Sequence, residues 1–151
     1  MNKKILVVFY SRTGNTKKLA EKIARKLDAD IEEIIDKKSR KGILGYVFGG
    51  RDAFRKSTTE IIFKKDPEKY RLVVIGTPVW AGTVVPAVRT YLIENKSKLK
   101  KVAFFCTFGG GAGKTFKEMG EISGKPLATL GLKDKNSEDA KEIDKFCSKL
   151  K

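Results

Sequence analysis

The segment "KILVVFYSRTGNTKKLAEKIARKL", residues 4–27, passes from an apolar run through a short polar turn into an amphipathic pattern. The run at 4–10 is nearly continuous in Val, Ile, Leu and Phe, which is typical of a strand buried on both faces of a parallel sheet. The pattern at 14–28 has lysines on one side and an apolar face on the other, formed by Leu19, Ala20, Ile23, Ala24 and Leu27. A buried strand that leads through a turn into a helix predicts the first half of a β-α-β unit.

The rest of the chain repeats this alternation. Four further apolar runs are present, at 29–35, 70–77, 101–108 and 126–132. The run at 29–35 has a polar middle, which predicts an edge strand. Alternating strands and helices predict a single domain, 1–151, of class α/β with a doubly wound parallel sheet.

Helical patterns separate the later strands. They cover 86–99, with Pro86 in the first turn, then 114–123, and then 138–150, with Ser137 as the N-cap. The interval 36–60 contains four glycines and no sustained helical face. We therefore predict a long loop there, with one or two helical turns.

The composition is strongly basic, with 33 Lys and Arg against 18 Asp and Glu and a net charge of +15. Such a balance favours acidic partners, or it marks a solvated lysine-rich surface, and both interpretations stay open at this point. The chain has no histidine, which excludes histidine-based nucleophilic triads. Its carboxylates and cysteines form no cluster at the spacing of metal ligands, so we predict no metal site.

The two cysteines, Cys106 and Cys147, form no CxxC pattern and predict no disulfide framework, in keeping with a reducing compartment. The amino-terminal apolar run is too short for a signal peptide, and no stretch reaches transmembrane length. These features predict a cytoplasmic protein without membrane insertion.

In sheets of this class, ligands bind beyond the carboxyl ends of the strands, at the point where the strand order reverses. The first loop at such an end is "SRTGNT", residues 11–16, which places hydroxyls, an amide and a glycine at a helix N-terminus. Free backbone N–H groups and the helix dipole there favour a phosphate group. The alternative is an ordinary capping turn, which would not need six consecutive residues that can donate or bend.

The second loop is "TPVWAG", residues 77–82, which holds the chain's one tryptophan. A flat aromatic ligand stacked on Trp80 would explain a large apolar group in a polar, glycine-flanked turn. The alternative is that Trp80 covers the edge of the core or forms a dimer contact, and the residue type alone favours that alternative.

The third loop lies in "TFGGGAGKT", residues 107–115, which looks like a nucleotide-binding P-loop. The P-loop spacing requires a glycine at position 108, where Phe108 stands, and no Asp ends the third strand to hold magnesium. We therefore predict no NTPase site. The glycines instead expose backbone N–H groups that can bond the polar edge of a planar ring, whereas a flexible surface turn would not need four of them.

Taken together, these loops resemble those of the flavodoxin family. "YSRTGNTKKLAEKIA" looks like its phosphate loop and first helix, "VVIGTPVWAGTVVPAVRTYL" like its second flavin loop, and "VAFFCTFGGGAG" occupies the third. "GILGYVFGGRDAF" in the long interval is also similar to segments of the flavodoxin-like branch. The resemblance spans nearly the whole chain and implies a three-layer fold with five parallel strands in the order 2-1-3-4-5.

The resemblance also implies FMN as the cofactor. The phosphate would be held by Ser11, Arg12, Thr13, Gly14, Asn15 and Thr16. The ring would lie against Trp80, with Thr77, Pro78, Val79, Ala81 and Gly82 shaping that wall. Backbone N–H groups would bond the pyrimidine edge from Thr107, Phe108, Gly109, Gly110, Gly111 and Gly113. A flexible peptide at Gly82 or its neighbour would tune the flavin.

The chain departs from the family pattern in three respects. It is basic where many flavodoxins are acidic, which implies an acidic redox partner protein and a raised flavin midpoint potential. It has no evident tyrosine to cover the outer flavin face, a place that Phe108, Tyr46 or Phe48 could take. Arg12 also adds a cation to a phosphate loop that often has none.

These features predict an FMN-binding electron-transfer protein. The first alternative is an FMN-dependent NAD(P)H:quinone-type reductase that acts on a small-molecule acceptor. The long basic loop 36–56 would be its lid, with Lys37, Lys38, Arg40, Lys41, Arg51, Arg55 and Lys56 against Asp36 and Asp52. The second alternative is a non-enzymatic module that binds nucleic acid, which the even spread of lysines along the chain disfavours.

Overall fold

A central parallel sheet organises the molecule. The computed structural model describes residues 4–38, 49–53 and 55–151. Its strands are β1 (Ile5–Phe9), β2 (Asp30–Glu33), β3 (Ile35–Asp36), β4 (Ile61–Ile62), β5 (Leu72–Trp80), β6 (Thr83–Val84), β7 (Val102–Phe108) and β8 (Thr129–Lys133). Five of them are parallel and lie in the order β2-β1-β5-β7-β8, which confirms the predicted strand order.

The strands β1, β5 and β7 form the buried centre of this sheet. Val7 pairs with Val74, and Ile75 pairs with Phe104, and all four side chains are fully buried. Successive side chains of a strand point to opposite faces, so a strand that is covered on both sides must be apolar throughout. The apolar runs in the sequence are continuous because these strands are buried on both faces.

Helices cover both faces of the sheet, which confirms the three-layer architecture. They are α1 (Asn15–Leu27), α2 (Pro86–Asn95), α3 (Thr115–Ser123) and α4 (Ala140–Ser148). Leu19 and Ile23 of α1 pack in one core cluster with Phe146 of α4. Tyr91 of α2 and Met119 of α3 belong to the cluster on the opposite face. No helix among the described residues is long and apolar enough to cross a membrane.

Several predicted boundaries were wrong. Asp139, and not Ser137, caps α4, because its carboxylate accepts a hydrogen bond from the backbone N–H of Glu142 at 3.2 Å, whereas Ser137 lies buried in the preceding turn. The helix predicted for 86–99 ends at Asn95, and the fifth strand begins at Thr129. Caps and turns decide such ends through local bonds that apolar periodicity does not report.

The second predicted strand, 29–35, is split. Its first part is β2, and Ile35–Asp36 instead pairs antiparallel with Ile61–Ile62 in a separate two-stranded sheet. The interval 36–60 contains a helical segment at 49–53, in agreement with the expected short helical turns. Tyr46 and Phe48 lie outside the described residues.

The polar and glycine-flanked composition of the segment 77–82 predicted a loop, but part of this segment is strand. β5 continues to Trp80, and the chain then turns back so that Trp80 pairs with Thr83 and Val79 with Val84. The second loop is therefore a β-hairpin that extends from the carboxyl end of β5.

Candidate functional site

The three predicted loops converge on one cleft at the carboxyl edge of the sheet. The cleft has a volume of about 200 Å³ and is lined by Arg12, Thr13, Thr16, Pro78, Val79, Trp80, Thr107, Phe108, Gly109 and Asp134. It lies over β1 and β5, between which the strand order reverses, because β2 lies on one side of β1 and β5 on the other. This is the place where doubly wound sheets bind their ligands.

The first loop is shaped by its own hydrogen bonds. The Ser11 hydroxyl oxygen accepts bonds from the backbone N–H groups of Gly14, at 3.1 Å, and Lys17, at 3.3 Å. Gly14 has φ +102°, a conformation that favours glycine, and it turns the chain into α1. Ser11 and Gly14 therefore form the loop, and neither of them lines the cleft.

The same loop leaves donors at the start of α1. Within the described part of the chain, no hydrogen bond engages the backbone N–H groups of Thr13, Asn15 or Thr16. The first N–H groups of a helix have no partner inside the helix, and together with the helix dipole they favour an anion. The geometry thus suits a phosphate group.

A buried hydrogen bond connects the first loop to β7. The hydroxyl oxygens of Thr16 and Thr107 lie 2.8 Å apart, and both residues are almost fully buried. The carboxyl end of β7 and the start of α1 are consequently held in one fixed relation under the cleft.

Trp80 forms a wall of the cleft from the end of β5. Its ring meets Tyr10 edge to face, with centroids 5.7 Å apart and planes at 87°. On another side it meets the helical segment 49–53, since a Cβ added at Gly49 would lie 2.8 Å from the indole. Trp80 is half-buried, so it combines a packing role with a surface that faces the cleft.

The hairpin turn beyond Trp80 has an unusual backbone. Ala81 has φ +53° and Gly82 has φ +72°, which are the signs of a two-residue hairpin turn of the primed type. Neither residue lines the cleft. Thr77, at the base of the hairpin, is fully buried, and its hydroxyl donates to the carbonyl oxygen of Pro78 at 2.7 Å.

The glycines of the third loop divide into two groups. A Cβ added at Gly110 or Gly111 would meet no atom within 4 Å, so this backbone is open to a ligand. Gly113 instead packs against the hairpin: it has φ +55°, and a Cβ there would lie 2.3 Å from the carbonyl oxygen of Gly82. The same oxygen accepts a bond from the backbone N–H of Lys114 at 2.8 Å, which joins the second and third loops.

Asp134 lines the cleft but was not predicted from the sequence. It follows β8 directly, and one carboxylate oxygen lies 4.0 Å from where a Cβ at Gly109 would be. The rule that ligands bind at the carboxyl ends of strands would have found it, had the fifth strand been included with the first, third and fourth.

A buried ion pair beneath the hairpin was also missed. Arg89 of α2 and Glu118 of α3 are both 6% exposed, with a guanidinium nitrogen 2.8 Å from a carboxylate oxygen. Arg89 donates to the Thr83 hydroxyl at 3.2 Å, and that hydroxyl donates to Glu118. The two residues lie in different helices and 29 positions apart in the sequence, so only the packing of α2 against α3 reveals the pair.

Glu118 is held in its charged form. Burial by itself raises the pKa of a carboxyl group, but hydrogen bonds from Thr83 and Arg89 and the charges of Arg89 and Lys56 lower the pKa of Glu118 below its ordinary value. The hairpin residue Thr83 is therefore attached to a network that needs this carboxylate.

Other candidate sites are less well suited to a ligand. Two larger grooves, of about 370 and 380 Å³, lie along the outside of α1, and neither has a glycine-rich loop among its lining residues. Cys106 is fully buried, and burial raises the pKa of its thiol to about 12, so it is an unreactive core residue. The described residues contain no group of three or more potential metal ligands, and His is absent from the chain.

The predicted residues thus have different positions. Nine of the ten that line the cleft were predicted, and the contribution of each to cofactor binding stays a prediction. Outside the cleft lining are Ser11, Gly14, Asn15, Thr77, Ala81, Gly82, Gly110, Gly111 and Gly113. Of these, Ser11, Thr77 and Gly113 support the loops through the contacts described above.

The chain is similar to a known family and to solved structures. The flavodoxin family model matches residues 4–137. No curated protein sequence matches the chain.

Solved structures share the fold. A flavoprotein from Lactobacillus acidophilus NCFM, in complex with FMN, is 28% identical, with a TM-score of 0.72 over 93% of this chain and 99% of that one. The two-electron reduced flavodoxin of Megasphaera elsdenii is 17% identical, with a TM-score of 0.64 and 96% of each chain covered. A WrbA-like flavodoxin from Agrobacterium tumefaciens is 17% identical, with a TM-score of 0.55 over 85% of this chain and 74% of that one.

Proposed function

Because this chain belongs to the flavodoxin family and FMN is accordingly its cofactor, we propose that it is an FMN-dependent electron-transfer protein. The observation that carries the proposal is the convergence of the loops after β1, β5 and β7 on one cleft at the reversal point of the sheet. The phosphate end, the ring wall and the ring edge of a flavin each have a counterpart there.

The phosphate would be held at the start of α1. The backbone N–H groups of Thr13, Asn15 and Thr16 supply donors, and Arg12 adds a positive charge at the cleft. Hydrogen bonds between donors of this kind and an anion are about twice as strong as those between neutral groups. Ser11 contributes indirectly, because its two bonds to the backbone keep the loop in this conformation.

The isoalloxazine ring would lie between the hairpin and the third loop. Val79 and Trp80 supply an apolar wall that excludes water from one ring face. The backbone of Gly109, in the cleft lining, and the open backbone of Gly110 and Gly111 beside it can donate to the ring's polar edge. When bound, FMN supplies the electron-accepting and electron-donating chemistry, and the protein sets its access and its potential.

We further propose that the redox partner is an acidic protein that docks on this edge of the sheet. The support is charge: Arg12 lines the cleft, and Lys114, Lys133 and Lys135 lie exposed in or beside the loops around it. Asp134 is the carboxylate among the lining residues. Complementary charge of this kind speeds association and weakens with added salt.

Titration of the cofactor-free protein with FMN and with riboflavin tests the cofactor assignment. We expect the fluorescence of FMN to be quenched on binding. We also expect FMN to bind on the order of 100-fold more tightly than riboflavin, which lacks the phosphate. Equal affinities would contradict the phosphate site, and failure of FMN to bind at high concentration would remove the proposal.

Anaerobic mixing of the FMN-loaded protein with NADH or NADPH tests whether the flavin takes electrons directly from a nicotinamide nucleotide. An electron carrier without a nucleotide site should keep its yellow colour over minutes and lose it when dithionite is added. Rapid bleaching by either nucleotide would instead establish the reductase alternative.

A further inference from the structure

We infer that the amino edge of the sheet, opposite the FMN cleft, binds the surface of an anionic membrane. This surface, here named the basic edge, consists of the exposed cations that precede four neighbouring strands. They are Lys4, Lys69, Arg71, Lys96, Lys98, Lys100, Lys101 and Lys125.

Backbone hydrogen bonds place the central members of the basic edge side by side. The carbonyl oxygen of Lys4 accepts from the backbone N–H of Arg71 at 3.0 Å, and that of Lys101 accepts from Val73 at 2.9 Å. Lys4, Arg71 and Lys101 directly precede β1, β5 and β7, which are adjacent in the sheet. Strands lie about 4.8 Å apart, so Lys4 and Arg71 lie side by side, while the pairing of Val73 with Val102 places Lys101 beside Leu72, one residue further along.

The cations of the basic edge differ in their pairing from three of the five cations on α1. On α1, Lys17 pairs with Glu33, Lys22 with Glu138 and Lys26 with Asp144. Within the described part of the chain, no cation of the basic edge takes part in an ion pair. The carboxylates nearby in sequence are Asp66, Glu68, Glu94 and Glu121, and Asp30 is also near because it accepts a hydrogen bond from the Tyr70 hydroxyl at 2.7 Å. The eight cations outnumber these five carboxylates.

Apolar side chains lie among these cations. Leu127, which is 50% exposed, is joined to β7 through a bond from its N–H to the carbonyl oxygen of Val102, next to Lys101. Ile93, at the end of α2, is 43% exposed and lies close in sequence to Lys96. Basic residues with exposed aliphatic ones between them suit a lipid surface, where the cations meet anionic headgroups and the aliphatic groups enter the interface.

The composition of this surface favours lipid over nucleic acid. Single-stranded nucleic acids bind where bases stack on aromatic side chains. The large exposed apolar residues among the described part of the chain are all Ile or Leu, so the basic edge offers no such platform. The nine residues of β5 separate this edge from the cleft by roughly 25 Å, so a bound membrane would leave the cofactor accessible.

Co-sedimentation of the FMN-loaded protein with vesicles tests this inference. Vesicles of equal parts phosphatidylserine and phosphatidylcholine should bind the protein at low salt and release it at high salt, and pure phosphatidylcholine should not bind it. The triple variant Lys98→Gln, Lys100→Gln, Lys101→Gln should bind on the order of 100-fold more weakly, since each basic residue near such a surface contributes about fivefold.

The matched control removes three exposed cations elsewhere, with Lys18→Gln, Lys141→Gln and Lys145→Gln on α1 and α4. It has the same net charge as the triple variant and should retain binding close to the parent. Leu127→Ser should weaken vesicle binding severalfold without changing the charge. FMN fluorescence quenching should be equal in all variants, which separates this test from that of the cofactor.

Three outcomes would overturn the inference. The first is that the parent protein does not bind the anionic vesicles. The second is that the two triple variants lose vesicle binding equally. The third is that duplex DNA binds the protein more tightly than the vesicles do at the same salt concentration. The second outcome would mean that net charge alone is responsible, and the third that the basic edge serves a nucleic acid.

Discussion

Single residues set the chemistry of the cleft. For Trp80, the residues around it decide which role its side chain can have. As a residue type it suited a core edge as well as a ligand wall. In the structure one part of the indole packs on Tyr10 and Gly49, while another part faces the cleft. A side chain already held by its neighbours can receive a ring with little further loss of freedom.

Replacing Trp80 should weaken cofactor binding. We expect Trp80→Ala to lower FMN affinity about tenfold, because the stacking surface is lost. The measurement is fluorescence titration of the cofactor-free protein. Trp80→Phe, which keeps an aromatic face, should lose less, and an unchanged affinity in Trp80→Ala would show that the ring does not lie on this wall.

Replacing Glu118 should destabilise the protein in a pH-dependent way. Glu118→Gln leaves Arg89 buried without its charge partner, and breaking such a pair costs about 3 kcal/mol or more of unfolding free energy at neutral pH. Urea denaturation measures this loss. The double variant Arg89→Met, Glu118→Leu should lose less, because no uncompensated charge stays buried.

The pH profile follows from the lowered pKa of Glu118. A carboxylate whose pKa is lower in the folded state stabilises that state above its ordinary pKa of 4.5, and this stabilisation disappears as the pH falls through the lowered folded value. The difference between parent and Glu118→Gln should therefore be full at neutral pH and shrink below 4.5. A difference independent of pH would indicate that the charge is unimportant.

At the scale of elements, the hairpin of β5 and β6 connects the parts of the site. Thr83 of β6 bonds to the Arg89–Glu118 pair, while the carbonyl oxygen of Gly82 receives the N–H of Lys114. The second and third loops, α2 and α3 thus meet at one short turn. A change in this turn is expected to affect both sides of the ring site.

The turn contains a residue in an unfavourable conformation, which a substitution can relieve. Ala81 has φ +53°, a region that Asn adopts more readily than Ala, and Asn-Gly is the preferred pair in turns of this type. We expect Ala81→Asn to raise the unfolding free energy by about 0.5–1 kcal/mol. Ala81→Val, with a branched side chain at the same φ, should lower it, and thermal unfolding of both variants tests the assignment.

The whole molecule adds a positive field to the flavin site. With a net charge of +15, the protein should stabilise the anionic reduced flavin and raise the midpoint potential above that of an acidic flavodoxin. A spectroscopic redox titration measures it. Added salt should lower the potential by screening, and Asp134→Asn should raise it, because that carboxylate lines the cleft. A midpoint equal to or below that of the acidic protein would contradict the argument.

Local patterns in the chain already specified the strands, the helices and the three loops of the site. The apolar runs predicted buried strands, and the resemblance of the loops to the flavodoxin family supplied their order. These features were predictable because a strand or an amphipathic helix repeats its pattern over neighbouring residues, and because a turn such as that at Gly14 depends on a few adjacent positions.

The hairpin at 77–84 and the place of Asp134 were missed although local signals for both exist, namely the glycine-containing turn and the carboxyl end of the fifth strand. The Arg89–Glu118 pair and the Thr16–Thr107 bond could not be predicted in that way. Each depends on residues that are distant in the chain: Thr16 and Thr107 are 91 positions apart, and Arg89 and Glu118 are 29 apart. Which polar side chains are buried together is settled only when the helices pack on the sheet, because burial is what gives a hydrogen bond or an ion pair its strength. The three loops that meet at the cleft could thus be identified from the residues themselves, whereas the contacts that hold these loops in place arose from packing.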